Sequence, residues 1–483
     1  MPAMGQTPAW SVVPRVSATQ TFTDNATLST AGKQGDQITE ISPGIRLVAN
    51  AARLKGSVDY SLRNFISAQA SSRNNMQNSL LSNAVFEAVD KWLYLDASAT
   101  ISQQTISAFG TQSVGAANTN ANRTETSNFR LSPYVRGKIA GRVDYLVRYA
   151  YSETQSKSTQ VAGTVTNDFS ARLSGTFGGP LGWVADASSQ TAQYGAATKS
   201  QSDRLTGRLT YRYDPELTVF VSAGTDSNNY STSTQQSSTT SGYGGDWTPT
   251  ERTRLTVTRE RRSFGNSHSI TFNHRLPLSA VRFTDSRSIT TTPNQTGVAS
   301  QGTYYDLYYS QLASSVPDPA QRAQQVLQLL QQAGISPTAA ITNGYLTSRV
   351  SVQRRQELAV ILNGLRNTAT YTFFQTASES AGTAVAGAAD DFSRSQVVRT
   401  VGMSSNFSHR LTPFTSINTL SSWTRSSGSL DSLKTTQKLF SVNVATRLTA
   451  KSSASFGLRS TVSEGATTAY RENAVFGTIT AQF

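Results

Sequence analysis

The chain has 483 residues with 43 Lys and Arg against 29 Asp and Glu, so its formal net charge is +14. It contains no cysteine, which excludes disulfide scaffolds, thiolate metal sites and cysteine nucleophiles. No stretch reaches the roughly 18–20 apolar residues of a membrane-spanning helix. Aromatic residues make up 9% of the chain, more than a disordered chain carries. This composition is typical of a transmembrane β-barrel, in which only alternate residues face lipid.

Apolar and polar residues alternate along nearly the whole chain, as a strand with one apolar face requires. The clearest segments, in chain order, are 54–63, 93–101, 129–139, 143–151, 169–175, 200–213, 217–223, 438–448 and 454–462. Many alternating segments are longer than the ~5–6 residues of a typical globular strand, which argues against a series of β-sandwiches. The pattern predicts an all-β fold, a single transmembrane antiparallel β-barrel of about 22 strands formed by residues 1–483.

Short and long connections alternate between these segments. Short turns fall near 50–53, 140–142, 213–216 and 411–413, and long polar connections near 24–36, 105–127, 291–346 and 377–394. Outer-membrane barrels have this asymmetry, with short periplasmic turns and longer outer loops. Residues 475–483 end on Phe483 and are typical of a barrel-closing strand. Residues 1–6 lack the features of a signal peptide, so we expect a mature chain in the bacterial outer membrane.

One insertion, residues 303–345, breaks the alternation. Asp318 is a suitable N-cap before Pro319, and the apolar residues that follow recur at helical spacing up to Gly334. The pattern predicts an amphipathic helix in a long outer loop that plugs the lumen or caps its mouth. The candidate gating residues are Tyr304, Tyr305, Tyr308, Tyr309 and Arg322.

The polar phase of the strands places many cations inside the predicted barrel. The candidate lumen residues are Arg63, Arg130, Arg136, Lys138, Arg148, Arg172, Arg204, Arg208, Arg212, Arg254, Arg447 and Arg459. Arg204, Arg208 and Arg212 would form a ladder with steps of roughly 13 Å at ~3.3 Å per residue. Because Arg stays charged and binds carboxylate, sulfate or phosphate, such a wall favours anions. The alternative is that these charges are structural and paired.

Other chemistry is weakly represented in the sequence. The three histidines (His268, His274 and His409) are scattered and have no metal-site spacing. No nucleophile, phosphate loop or groove-reading motif accompanies the positive charge. We therefore expect no enzymatic activity, no cofactor, no metal and no nucleic-acid partner.

Several short motifs occur in a defined order along the chain. They are residues 10–14 (WSVVP), 23–25 (TDN), 41–45 (ISPGI), 247–253 (WTPTERT), 261–265 (RRSFG), 318–322 (DPAQR) and 366–368 (RNT). This ordered set resembles the outer-membrane proteins associated with the PEP-CTERM/exosortase system. The resemblance implies an outer-membrane barrel from an exopolysaccharide gene context, and it implies no binding residues.

Three functions remain open at this stage. The first is a passive conduit that exports an anionic exopolysaccharide through the Arg-lined lumen. The second is a general porin for small solutes, and the third is a structural barrel that anchors or ensheathes a surface polymer, a fibre or a cytochrome. The expected partners are outer-membrane lipid and lipopolysaccharide, an anionic polysaccharide, and a periplasmic or surface protein.

Overall fold

The structure is a computed structural model that describes residues 9–115, 117–118, 120–195, 198–230, 234–291, 344–382, 390–465 and 469–483. Its strands are β1 Trp10–Thr23, β2 Asp36–Asn50, β3 Leu54–Ser67, β4 Asn75–Val89, β5 Leu93–Thr105, β6 Arg123–Ile139, β7 Val143–Ser156, β8 Thr164–Gly178, β9 Leu181–Tyr194, β10 Thr198–Arg212, β11 Leu217–Asn228, β12 Gln236–Thr250, β13 Thr253–Arg262, β14 Gly265–Arg275, β15 Ser279–Thr290, β16 Ser351–Asn363, β17 Asn367–Ser380, β18 Val397–Arg410, β19 Thr415–Ser427, β20 Lys434–Arg447, β21 Ser452–Gly465 and β22 Tyr470–Gln482.

The strands form one closed sheet of 22 members. Each strand pairs antiparallel with the next along the chain, and β22 pairs with β1 from Arg15 opposite Gln482 to Thr23 opposite Ala474. The hydroxyls of Thr19 and Thr478 lie 2.9 Å apart across this closing pair. A closed sheet has no free edge, so its backbone groups are satisfied inside a membrane. The predicted barrel of about 22 strands is confirmed.

Alternating side chains give the barrel an apolar outside and a polar inside. On β10, Leu205 and Leu209 are 59% and 53% exposed on the outer face, whereas Thr206 between them is 6% exposed and faces the lumen. Exposed aromatic and aliphatic residues occupy the same face on strands around the barrel, including Phe169, Val221, Phe373 and Phe440. None of the helices in the described ranges is long and apolar enough to cross a membrane.

The two ends of the barrel differ in the length of their connections. One end carries the tight turns 51–53, 140–142, 179–180, 213–216 and 251–252 together with the ends of the first and last strands. In the turn between β6 and β7, Ala140 and Gly141 both have positive φ and the Arg142 amide donates to the Ile139 carbonyl at 3.1 Å, as in a type I′ turn. The other end carries the longer connections, including 24–35, 106–122, 291–350 and 381–396. We assign the short-turn end to the periplasm.

The amphipathic helix predicted between Asp318 and Gly334 lies outside the described residues, which therefore give it no support. The helices of the described residues are two short 3-10 turns, Ser71–Arg73 and Asp391–Ser393, and neither belongs to the predicted insertion at 303–345. The candidate gating residues Tyr304, Tyr305, Tyr308, Tyr309 and Arg322 lie outside the described residues. Only the last two residues of the insertion, Gly344 and Tyr345, are described, and both are buried.

Candidate functional site

The twelve cations selected from the sequence all lie on the luminal phase of their strands. Arg204, Arg208 and Arg212 alternate with the outward Leu205, Leu209 and Tyr211 on β10. Arg459 shares its phase with Thr461, which is fully buried on β21. The strand pattern was therefore sufficient to place these side chains inside the barrel.

Most of these cations are neutralised by carboxylates on neighbouring strands. Arg63, for example, contacts both carboxylate oxygens of Glu40, at 2.6 and 2.9 Å. Eight of the twelve form ion pairs: Arg63–Glu40, Arg130–Asp168, Lys138–Asp144, Arg148–Asp96, Arg172–Asp186, Arg204–Glu260, Arg254–Asp246 and Arg459–Glu472. The part of the lumen wall that the structure describes is therefore not uniformly positive.

The other four cations make no ion pair within the described part of the chain. Arg136 stacks 4.4 Å from the ring centre of Tyr94, Arg208 lies 4.2 Å from that of Phe220, and Arg447 lies 5.0 Å from that of Phe414. Arg212 is the last residue of β10. Arg136 lies three residues before the periplasmic end of β6, Arg208 lies four residues before that of β10, and Arg447 ends β20.

Two further cations join these at the periplasmic end of the lumen. Arg410 ends β18, and Lys451 lies in the turn between β20 and β21. Together with Arg447 they line a cavity of about 280 Å³ whose lining contains no Asp or Glu. We call the six cations Arg136, Arg208, Arg212, Arg410, Arg447 and Lys451 the periplasmic vestibule. Positive charge without a carboxylate partner raises the local concentration of anions at this entrance.

At the opposite end, the connection between β5 and β6 folds into the lumen. The backbone carbonyl of Phe109 accepts a hydrogen bond from Thr435 (3.2 Å), and that of Gln112 accepts one from Gln437 (2.9 Å). Both donors are luminal side chains of β20, which is separated from β5 by several strands of the barrel wall. The connection therefore crosses the outer mouth of the barrel.

A second segment, residues 344–350, packs beneath the same mouth. Leu346 is fully buried against Ile106 and Val161, and its amide donates to the carbonyl of Thr105 at 3.2 Å. The hydroxyl of Ser348 accepts a hydrogen bond from the amide of Ala162 at 2.8 Å. We call residues 106–115, 344–350 and 390–396 the mouth cover.

The mouth cover has its own apolar core. Ala108, Phe109, Tyr345 and Phe392 pack together, and they rest on Val398 of the barrel wall and on Leu433. Tyr345 and Phe392 meet edge to face with ring centres 6.2 Å apart. Burial raises the pKa of the Tyr345 hydroxyl, which therefore stays neutral. Apolar burial of this kind holds the three segments in one arrangement.

Buried charges lock the segments of the mouth cover together. Arg349 and Asp390 approach to 3.1 Å, and their side chains are 8% and 0% exposed. Asp390 also accepts a hydrogen bond from the Thr347 hydroxyl at 2.7 Å. Next to it, Asp391 accepts hydrogen bonds from the Ser107 hydroxyl and the Ala108 amide, at 2.5 and 2.6 Å. Burial raises the pKa of the Asp391 carboxyl.

The sequence did not indicate this part of the site. Asp390 is 41 residues from Arg349 along the chain, and Ser107 is 284 residues from Asp391. The only sequence signal for this cluster was the adjacent pair Asp390 and Asp391, because the chain has few acids and these two lie in a long connection. No cluster of three or more His, Asp or Glu suited to a metal ion occurs within the described ranges.

Comparison with known proteins shows similarity of fold only. No family model and no curated protein sequence matches the chain. The structure is similar to the siderophore receptor PirA from Acinetobacter baumannii, with a TM-score of 0.53 and 8% identity over 98% of this chain and 80% of that one. It is also similar to the FrpB iron transporter from Neisseria meningitidis (F5-1 variant), with a TM-score of 0.52 and 10% identity over 99% and 83% of the two chains. The closed barrel, its apolar outer face and this shared fold place the protein in the bacterial outer membrane.

Proposed function

We propose that the protein is a gated outer-membrane conduit that exports an anionic polysaccharide. The observation that carries the proposal is the distribution of charge along the lumen. Cations without carboxylate partners gather in the periplasmic vestibule, at Arg208, Arg212 and Arg447 among others, while buried ion pairs occupy the outer mouth. An anionic polymer arriving from the periplasm is attracted at the entrance and meets a neutralised wall beyond it.

The mouth cover supports gating. Its segments lie inside the outer end of the lumen and are held by apolar contacts and by the Arg349–Asp390 pair. A polymer leaving the barrel passes these segments, and their release would widen its exit. A general porin for small solutes, with a permanently open channel, is disfavoured by this arrangement. The fold shared with an iron transporter is compatible with transport, and the exopolysaccharide gene context of the resembling family supports the cargo.

A structural barrel that anchors a surface polymer, fibre or cytochrome is the second candidate. The buried Arg349–Asp390 pair favours this second function, because breaking a buried ion pair is costly and a structural barrel never has to open its mouth. The two functions make different predictions: an opened conduit passes anionic polymer in preference to neutral polymer, whereas an opened structural barrel shows no such preference.

The test uses proteoliposomes loaded with a fluorescent alginate oligomer or with a neutral dextran of equal size. Asp390→Asn is introduced to weaken the mouth cover. We expect this variant to release alginate faster than dextran, and the added changes Arg208→Gln and Arg212→Gln to remove the preference. The matched control is Arg425→Gln with Arg471→Gln, which removes two charges from the outward face of β19 and β22. Equal release of alginate and dextran from the opened barrel would contradict the proposal.

A further inference from the structure

A row of basic side chains crosses the outward face of four neighbouring strands, β13 to β16, and resumes on β18. The strand register places Arg259 of β13 opposite His268 of β14, His268 opposite Arg287 of β15, and Arg287 opposite Arg354 of β16. The next strand contributes Ala377, which lies opposite Arg399 of β18. We call Arg259, Arg287, Arg354 and Arg399 the cationic row, in which His268 lies between Arg259 and Arg287.

The cationic row faces the lipid side near the outer rim. Its members share their strand phase with outward apolar residues such as Leu255, Leu358 and Met403. Each member lies within four residues of the outer end of its strand. At this depth the cost of an Arg on the lipid face falls to about 0–1 kcal/mol, compared with ~2–4 kcal/mol at the midplane.

Protein carboxylates neutralise only part of this charge. On the outward face of β13–β18 the acids are Asp285 and Glu379. Asp285 pairs with Arg354 at 2.9 Å and with His268 at 3.0 Å. Arg259, Arg287 and Arg399 make no ion pair among the described residues. Arg287 and Arg354 lie directly opposite each other, and like charges in that position repel, so the single pair with Asp285 leaves an excess of positive charge in the row.

Outward cations near the outer rim also occur at Arg425 of β19 and Arg471 of β22, but they are not spread evenly around the barrel. Outward positions near the outer ends of β6, β7 and β10 carry acids instead, namely Glu125, Glu153 and Asp203. A cationic outer rim is therefore not a general property of this barrel surface. On β13–β18 the outward arginines outnumber the two outward acids.

We propose that the cationic row binds the phosphate groups of a phosphorylated glycolipid in the outer leaflet. The planar guanidinium binds phosphate through two parallel hydrogen bonds. Arg259 and Arg354 are three strands apart, which is roughly 14 Å at ~4.8 Å per strand, so the row can engage more than one phosphate of a lipid headgroup. Basic sites on membrane proteins bind acidic headgroups in the same way.

The test measures binding of purified diphosphorylated lipid A to the barrel in zwitterionic detergent by native mass spectrometry. The triple variant Arg259→Gln, Arg287→Gln and Arg399→Gln removes the cations that lack an ion pair. Because the variant removes three charged hydrogen-bond donors from the phosphate groups, we expect the affinity for lipid A to fall about tenfold or more. The matched control, Arg136→Gln, Arg208→Gln and Arg212→Gln, removes three such cations from the lumen and is expected to bind lipid A as the wild type does.

Three outcomes would overturn the proposal. They are unchanged lipid A binding by the outward triple variant, an equal loss in the luminal control, and equal binding of a dephosphorylated lipid A. A fourth outcome, displacement of lipid A by millimolar inorganic phosphate, would assign the cationic row to free phosphate and would overturn the proposal as well. Folding of each variant is checked by heat-modifiable gel migration. If the triple variant does not fold, Arg399→Gln alone is expected to weaken binding measurably, and no change there contradicts the proposal.

Discussion

Replacing Asp390 with Asn is expected to release the mouth cover while leaving the barrel wall intact. The Asp390 carboxylate lies 3.1 Å from Arg349, and both side chains are almost completely buried. Asn has the same shape and still accepts the hydrogen bond from Thr347. The change therefore removes the negative charge and little else.

The expected effect is large because Arg349 is left without its counter-charge. Breaking a buried ion pair by removing one partner costs about 3–5 kcal/mol, whereas removing both charges is often close to neutral. Each 1.4 kcal/mol is a factor of ten, so the ratio of docked to undocked segment falls by about two orders of magnitude or more. The double variant Arg349→Gln with Asp390→Asn should recover much of this loss.

Cysteine labelling measures the release directly. The chain has no cysteine, so Ser348→Cys introduces a single thiol at a position that is fully buried. We expect a maleimide to label the thiol at position 348 about 100-fold faster in the Asp390→Asn background than without that change. This factor equals the expected fall in the ratio of docked to undocked segment. The matched control is Asp246→Asn, which breaks the exposed pair with Arg254 at the periplasmic end. Exposed pairs contribute about 0–1 kcal/mol, so labelling should not change.

Two results would refute this reasoning. If Asp390→Asn left the labelling rate unchanged, the ion pair would not hold segment 344–350. If the double variant were labelled as fast as the single one, the effect would not arise from an uncompensated Arg349 charge.

Three further predictions follow from the same structure. In planar bilayers the opened barrel is expected to be anion-selective, and Arg208→Gln with Arg212→Gln should shift its reversal potential toward zero. An unchanged potential would count against the periplasmic vestibule. Glu472→Ala removes a carboxylate that is 1% exposed and accepts from Arg459, Asn118 and Thr23, so it should lower stability by about 3–5 kcal/mol in thermal unfolding. Glu464→Ala, which breaks an exposed outward pair, should cost under ~1 kcal/mol. Because burial raises the pKa of Asp391, its stabilising contribution is full below the ordinary carboxyl pKa and is lost as the pH rises through the raised value. Relative to the wild type, Asp391→Asn should therefore hold the cover more firmly as the pH rises, seen as slower labelling at position 348.

The barrel itself could be predicted from the sequence because its causes are local. Lipid outside and water inside impose a period of two on every strand, and residues 54–63 or 200–213 show it without any knowledge of their neighbours. The alternation of short and long connections has the same local origin. Placement of Arg204, Arg208 and Arg212 in the lumen followed from the phase of β10 alone.

The pairing of charges could not be predicted because it depends on register. Arg204 meets Glu260 three strands away, 56 residues further along the chain, and the phase of β10 does not fix that partner. The contacts of the mouth cover are less local still, since Phe109 meets Thr435 across the lumen. The cationic row likewise exists only because the register aligns Arg259, Arg287 and Arg354.

The central claim is that β1 and β22 close one barrel in the membrane, and a cross-link measures this most directly. Thr19→Cys and Thr478→Cys replace two hydroxyls that lie 2.9 Å apart across the closing strands. Oxidation is expected to form an intramolecular disulfide in protein taken from outer membranes, seen as a shift in non-reducing gel migration. The pair Thr19→Cys and Ser455→Cys, one strand further away, should not cross-link, because Cα atoms more than about 7 Å apart cannot be bridged. Absence of the first cross-link, or equal formation of both, would contradict a closed barrel with this register.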